Sequence, residues 1–298
     1  MIIIRLQGGL GNQLFQYALY LQLEASGHTV KIDDVSGYAG DRLRRPVLEE
    51  LFGIRYEKAT EREIRKLRDS FMDPLHRVKR KLFGRRNREW REPDGAFYPE
   101  VLTMEDAYLD GFFQSERYFA DGSVQKALRA ACGPVFSGSE ERELAARIAG
   151  DGDRSVSLHI RRGDYLQPGT AETHGGICTE AYYRRAVSLA DDRIRDAVYY
   201  IFSDDPDYAA QFAAQQTAAG RFSVVCLRDT KGAARDLAEL SLMAVCRHHI
   251  LANSSFSWWG AWLGGSEEER LVIAPDKWFN NRADEAVYTE EMIRISGS

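Results

Sequence analysis

Short runs rich in β-branched residues alternate with helical segments along most of the chain. They are IIIRL (2–6), HTVKID (28–33), SVSLHI (155–160), VYYIFS (198–203), FSVVCL (222–227), HHILA (248–252) and RLVIAP (270–275). Such alternation spells βαβ units and parallel sheets, an α/β fold. The helices between them carry their own signals. LFQYALYLQLEAS (14–26) follows a glycine turn, and SEERELAARIAG (139–150) has Ser139 as an N-cap, acidic residues in its first turn and Gly150 at its end. Helices are also expected at 180–190 and 233–247.

A length of 298 residues suits two domains of roughly 150 residues or one large α/β unit. Gly, Ser and charged residues crowd 133–155, between two blocks that each begin with a strand. The boundary is therefore expected near 145, giving domains 1–145 and 146–298. Residues 60–100 read as charged helix and loop, the character of a variable recognition region.

Apolar residues make up 44% and charged residues 29% of the chain, the balance of a soluble globular protein. A net charge of −5 argues against a general nucleic-acid binder. Against that balance, HRVKRKLFGRRNREWR (76–91) gathers eight Lys and Arg. It is a solvated helix or loop, or an electropositive patch facing an anionic membrane surface or a polyanionic glycan. Cys132, Cys178, Cys226 and Cys246 show no CxxC spacing, so they read as reduced thiols with no zinc site. No apolar stretch approaches 18 residues and MIIIRLQGG is too brief for a signal-peptide core, so a cytoplasmic protein is expected.

Four places carry chemistry. RLQGGLGNQLFQYA (5–18) runs strand, glycine turn, helix, and Gly8, Gly9 and Gly11 let backbone N–H groups approach an anion at a helix N-terminus. Gly9 and Gly11 fit the first two glycines of a dinucleotide fingerprint, and Asp33 or Asp34 stands near its acidic position. Leu14 replaces the third glycine, and the amides of Asn12 and Gln13 suit hydroxyls better than a pyrophosphate cradle. The second place is HIRRGDY (159–165). If the strand persists, Arg161 and Arg162 alternate in direction, so at most one points into a given cleft while the other pairs elsewhere. A fixed guanidinium at a strand's C-terminal end matches phosphate with two parallel hydrogen bonds; the bland alternative is an Arg–Asp pair closing a loop.

In the third, YYIFSDDPDY (199–208), Asp204 and Asp205 follow a buried-looking strand and either accept from a nucleoside or cap the helix after Pro206. A metal would need more hard ligands than the pattern offers. The fourth is HHILANSSFSWWGAWLGG (248–265), where Asn253, Ser254, Ser255 and Ser257 lead into a helix start, a second anion site. Trp258, Trp259 and Trp262 read as core anchors, and Gly260 inside the helix hints at a close neighbour.

Together GGLGNQLFQYA, GFFQSERYF (111–119), HIRRGDY, SDD and ANSSFSWWGAWL resemble, in that order, the motifs of the bacterial α-1,2-fucosyltransferases, glycosyltransferase family 11. The resemblance spans about 5–265 and leaves 40–100, and with it the acceptor, unassigned. It implies a GT-B architecture, two Rossmann-like domains around a cleft, with an acceptor-side N-terminal domain and a donor-binding C-terminal one. The implied reaction is inverting transfer of L-fucose from GDP-β-L-fucose to the 2-hydroxyl of a galactoside, with no metal or other cofactor. Arg161 would hold the β-phosphate and His159 would lie near the guanine or ribose. Asp204 and Asp205 would sit towards the nucleoside, and Ser254, Ser255, Phe256 and Ser257 would line the pyrophosphate. Arg162, Gly9, Gly11 and Asn253 complete the donor set. Asn12 would reach the fucose or the acceptor hydroxyl, beside Gln114, Glu116 and His174 on the acceptor side. Asp164 leads as general base, with His174 and Glu116 behind it.

The implied partners are thus a nucleotide sugar and a glycan, with no nucleic acid and no transmembrane segment, and residues 76–91 offer peripheral contact with the inner face of a membrane. Two rival readings stand: an NAD-dependent oxidoreductase built on the N-terminal glycine turn, and a glycan-binding module without catalysis.

Overall fold

The structure, a computed structural model, describes residues 1–41, 43–264 and 270–297. The chain forms two compact units, Met1–Leu128 and Arg129–Ser298. The α/β class expected from the alternating runs is observed in both.

In the first unit, β1 (Ile2–Arg5) leads through a glycine turn into α1 (Leu10–Ala25), then β2 (Val30–Asp33), α2 (Leu48–Phe52), α3 (Glu61–Arg68) and α4 (Pro74–Phe83). Strands β3 (Glu89–Arg91) and β4 (Tyr108–Asp110) follow, and α5 (Gly122–Cys132) carries the chain into the second unit. The four strands make one parallel sheet in the order β2-β1-β4-β3. Ile2, Ile3 and Ile4 are all fully buried, because a parallel sheet covered on both faces accepts an unbroken apolar run. Strands β3 and β4 lie where only charged helix and loop, or no element, was expected. EWR and YLD are too short and too polar to show a period of two, and their pairing supplies what propensity does not.

The second unit holds α6 (Ser139–Asp151), β5 (Ser155–Ile160), α7 (Pro168–His174), α8 (Glu180–Arg193), β6 (Val198–Ser203), α9 (Pro206–Ala214) and β7 (Phe222–Val224). It continues with α10 (Gly232–Val245), β8 (His248–Ile250), α11 (Ser255–Leu263), β9 (Val272–Pro275) and β10 (Met292–Ile295). All six strands are parallel, in the order β10-β9-β8-β5-β6-β7. Strand β5 is buried along its whole length.

The units divide earlier than the composition shift at 145 suggested, because α6 packs with the second unit. Ala145 and Ile148 join a core cluster with Phe202, Leu242 and Met243, and Thr230 donates its hydroxyl to Glu141 at 2.7 Å. Ser139 is not the N-cap of α6. Gly138 takes that position, and the Glu141 carboxylate accepts from the backbone N–H groups of Ser137 and Gly138 at 2.7 and 3.0 Å. The tryptophans behave as expected: Trp258 and Trp259 are fully buried in α11 and Trp262 nearly so. A Cβ on Gly260 would come within 2.8 Å of Met243 Cβ on α10, so the two helices meet too closely for any side chain there.

Candidate active site

Each sheet changes winding direction once. In the second unit the chain moves from β5 outward through β6 and β7, then returns to place β8, β9 and β10 on the other side. In the first, β1 is flanked by β2 on one side and by the later β4 on the other. Loops at such switch points diverge, and in open parallel sheets ligands settle outside the carboxyl ends of the strands there. The five motifs that carry the family resemblance lie at or just after the carboxyl ends of β1, β4, β5, β6 and β8.

At the end of β5 the strand stops at Ile160, so Arg161 and Arg162 separate by loop geometry, not by strand alternation. Arg161 is held from two sides. Its Nε donates to Asp164 Oδ1 at 3.1 Å, its Nη2 lies 2.9 Å from the same oxygen, and its Nη1 lies 3.2 Å from Asp204 Oδ2. Burial opposes its charge, yet the carboxylates of Asp204 and Asp164 prevail and raise its pKa above the ordinary value. About a third of the side chain, 32%, stays exposed. The guanidinium is thus charged and fixed in orientation, with donors left for an incoming anion. Arg162 pairs elsewhere: its Nε donates to Asp205 Oδ2 at 3.1 Å and its guanidinium lies 3.9 Å from the centre of the Tyr208 ring.

Asp204 does a second job, accepting the backbone N–H of Arg162 at 2.9 Å. Asp205 caps α9 by accepting from Tyr208 N at 3.0 Å. Both carboxylates therefore serve the arginines and the helix start. Among the described residues no three His, Cys, Asp or Glu side chains gather as a metal site would require.

At the end of β8, Asn253 is 1% exposed and its side chain is taken up by the chain itself. Its Nδ2 donates to the carbonyls of His174 and Trp278, both at 3.1 Å, and its Oδ1 accepts from Cys178 Sγ. Its backbone carbonyl accepts from Tyr165 Oη at 2.8 Å. The side-chain amide of Asn253 therefore acts as a strut between these segments. Ser254 caps α11 through Phe256 N, while the Ser257 hydroxyl donates to Ala252 O and Ser254 O. The backbone N–H groups of Ser255 and Ser257 meet no acceptor among the described residues, which leaves an anion-binding helix start. Phe256 places its ring 5.8 Å from that of His159.

His159 is buried in β5 with no partner for Nδ1, and burial, aided by Arg161, pushes its pKa down to about 3. His174 ends α7 and stacks on Tyr165 with ring centres 4.9 Å apart. Burial and the Arg282 cation lower it to about 4.

In the first unit, Gly8 takes a left-handed φ of +80° to turn the chain into α1, and Gly9 serves as the N-cap. A Cβ on Gly8 would come within 2.6 Å of Asn12 Nδ2. Gly11 is a buried helical residue inside the first turn. Asn12 Oδ1 accepts from Gln114 Nε2 at 2.7 Å, joining the first turn of α1 to the segment after β4. Gln13 is structural, donating to Gly8 O and Arg45 O and accepting from Val47 N. Glu116 accepts from Gln125 Nε2 at 3.3 Å. Gln114 and Glu116 belong to the first unit and His174 to the second, where it stacks on Tyr165 and feels the Asp164 carboxylate.

Asp33 answers the dinucleotide reading. It is 1% exposed; Oδ1 accepts from Val35 N and Ser36 N, and Oδ2 from Ser36 Oγ and Tyr108 Oη at 2.6 and 2.7 Å. Asp34 meets Lys58 Nζ at 2.8 Å and Tyr56 Oη at 3.2 Å. The acid that would hold a ribose is occupied within the fold.

A family profile described as glycosyl transferase family 11 matches residues 85–296. The chain belongs to glycosyl transferase family 11. The O-antigen biosynthesis glycosyltransferase WbnK of Escherichia coli is 30% identical to it, over 93% of this chain and 95% of that protein. An alpha-1,2-colitosyltransferase of Escherichia coli is also 30% identical, over 93% and 92%. A crystal structure of the alpha-1,6-fucosyltransferase NodZ soaked with GDP-fucose overlays with a TM-score of 0.45 at 15% identity, covering 88% of this chain and 92% of that one.

In this family 11 glycosyltransferase several residues near Arg161 carry no sequence signal of their own. Gly163 has no room for a side chain, since a Cβ would meet Asp204 Oδ2 at 2.6 Å. Its position inside HIRRGDY was the available signal. Tyr165 bridges Asn253 and His174, and on α10 the carboxyls of Asp236 and Glu239 feel Arg161 and Asp204 respectively. Burial raises both carboxyl pKa values. No local pattern distinguishes those two from ordinary helix-surface acids.

Proposed function

We propose that this glycosyltransferase moves L-fucose from GDP-β-L-fucose to the 2-hydroxyl of a galactoside in a glycan, with inversion and without a metal. The observation that carries the reading is the fixed guanidinium of Arg161 at the end of β5, in the same unit as the open N–H groups of α11. An acceptor oxygen attacks the anomeric carbon as the bond to the diphosphate oxygen breaks, and negative charge grows on the departing GDP. Arg161 and the α11 start bind that charge more strongly in the transition state than in the ground state, which lowers the barrier. Such groups do the work a divalent ion does elsewhere, and the pairing of Asp204 and Asp205 with arginines supports a metal-free site.

The ion pair with Arg161 makes Asp164 a positioning residue in this reading. A carboxylate oxygen that already accepts from a guanidinium suits orientation better than proton removal. His159, with its unpartnered buried Nδ1, supports a place beside the nucleoside. Asn12 and Gln114 form the acceptor-side pair. The similarity to an alpha-1,2-colitosyltransferase supports the 1,2 linkage and makes the sugar the point to test. GDP-fucose and its 3-deoxy counterpart are offered separately with β-galactosides, and the product linkage is read by NMR. Transfer of fucose to the 2-hydroxyl, unaffected by EDTA, is expected. Use of the 3-deoxy sugar alone would overturn the donor, and activity lost to EDTA and restored by manganese would overturn the metal-free step.

A further inference from the structure

Helix α4 stands almost wholly in solvent. Asp73 caps it, and among the described residues it is held along one edge: Arg80 donates to Asp69 O and Phe71 O at 2.9 and 2.5 Å, and His76 stacks on Phe71 at 4.4 Å. No residue of α4 is buried. The side away from that edge is apolar. Leu75, Val78 and Leu82, at spacings of three and four, are 75%, 56% and 70% exposed, and Phe83 at the helix end is 70% exposed. Met72, just before the helix, is exposed to the same degree.

At 100° per residue, Lys79 and Lys81 flank the Leu75/Val78/Leu82 stripe on its two sides. Arg85 and Arg86 follow directly. Among the described residues Arg77, Lys79, Lys81, Arg85 and Arg86 have no acidic partner, whereas Arg88 and Arg91 of the same segment pair with Asp106 and Asp110. Segment 76–91 has eight basic residues and one acidic, Glu89, in a chain whose net charge is −5. An apolar stripe edged by lysines whose stems can lie along it, with further cations beyond, is the pattern of a helix that rests in the headgroup layer of a membrane.

We propose that α4 docks this enzyme onto an anionic bilayer surface, with Leu75, Val78, Leu82 and Phe83 entering the headgroup layer and Lys79, Lys81, Arg85 and Arg86 meeting lipid phosphates. Charge selects this occupant over a second copy of the chain, because a two-fold contact through α4 would set its own cations against each other. The apolar stripe selects it over a soluble polyanion, which needs none. Among the described residues no helix is long and apolar enough to cross a membrane, so the contact is with the surface.

The test is cosedimentation of the full chain with vesicles of phosphatidylglycerol and phosphatidylcholine, against phosphatidylcholine alone. Binding only to the anionic vesicles, weakened by salt at about 0.5 M, is expected. Replacing Leu82→Glu and Phe83→Glu together should weaken it at least tenfold, and removing Arg85 and Arg86 by alanine roughly 25-fold, at about fivefold per cation. Unchanged melting temperatures confirm that both variants fold, since every altered side chain is exposed. The proposal is overturned by no difference between the two vesicle types, by variants that bind like the parent, or by light scattering that shows a dimer lost in the Leu82/Phe83 variant. A soluble acidic polysaccharide bound equally by that variant and the parent, without vesicle binding, would do the same.

Discussion

Gly163 and Asp204 touch so closely that the glycine's missing side chain is what lets the carboxylate reach Arg161. A Cβ at 163 would lie 2.6 Å from Asp204 Oδ2, the oxygen 3.2 Å from Arg161 Nη1. Asp204 cannot simply swing aside, because its Oδ1 is held by Arg162 N. Gly163→Ala should therefore displace the guanidinium and lower kcat by about tenfold to a hundredfold, the cost of an ångström-scale misplacement. Steady-state kinetics with melting curves checks this, and an unaltered kcat would detach Gly163 from the site.

For Arg161 the expected loss is larger. Arg161→Ala removes the main counter-charge to the departing diphosphate and should cost about a hundredfold to a thousandfold in kcat, as loss of a transition-state donor does. Arg161→Lys should recover little, since an ammonium cannot engage Asp164, Asp204 and a phosphate together. Near-normal turnover by the alanine variant would remove the proposed phosphate role.

Asp164 and Glu116 are separated by pH profiles. If Asp164 orients Arg161, Asp164→Asn lowers kcat and leaves the acidic limb of the kcat/KM profile in place. A general base behaves differently: Glu116→Gln, if Glu116 takes the proton, should abolish that limb and lose about 10²- to 10⁴-fold. Loss of the limb in the Asp164 variant would restore Asp164 as the base.

The Asn12–Gln114 hydrogen bond predicts coupled effects. Alanine at either position should reduce acceptor kcat/KM several-fold, and the double variant should fall short of the product of the two. A coupling of about 0.5–3 kcal/mol is typical of residues in contact. Strict multiplicativity would show that the two act separately.

His174 makes stability depend on pH. Burial first, then Arg282, holds its pKa at about 4 against an ordinary 6.5. As pH falls below 6.5 the unfolded chain takes up a proton that the folded chain refuses, so stability is complete above 6.5 and declines down to about 4. His174→Phe keeps an aromatic ring between Tyr165 and Phe279 and removes this contribution. The drop in melting temperature between pH 7 and 5 should be smaller in the variant. An equal drop in both proteins would place the titration elsewhere.

The architecture was legible where strands are buried on both faces. Ile2–Arg5, Ser155–Ile160 and Val198–Ser203 announce themselves because central parallel strands, covered on both faces, are rich in β-branched and other apolar residues. Edge and short strands such as Glu89–Arg91 and Met292–Ile295 escape, since their pairing is imposed by the sheet. The site was legible as motifs, not as roles. HIRRGDY and SDD proved to be parts of one ion-pair network, a relation that needs β5 and β6 side by side. Asn253, grouped with the serines that follow it, turned out to serve the fold. No spacing rule could show that its amide reaches His174, far away in the chain.

Because Asn253 ties together the segments around Tyr165, His174, Cys178 and Trp278, it works as the keystone of the loops near Arg161. Anyone retuning this enzyme for a different nucleotide sugar would do well to leave that position untouched and vary Ser255, whose partly open side chain can change without unlocking the masonry behind it.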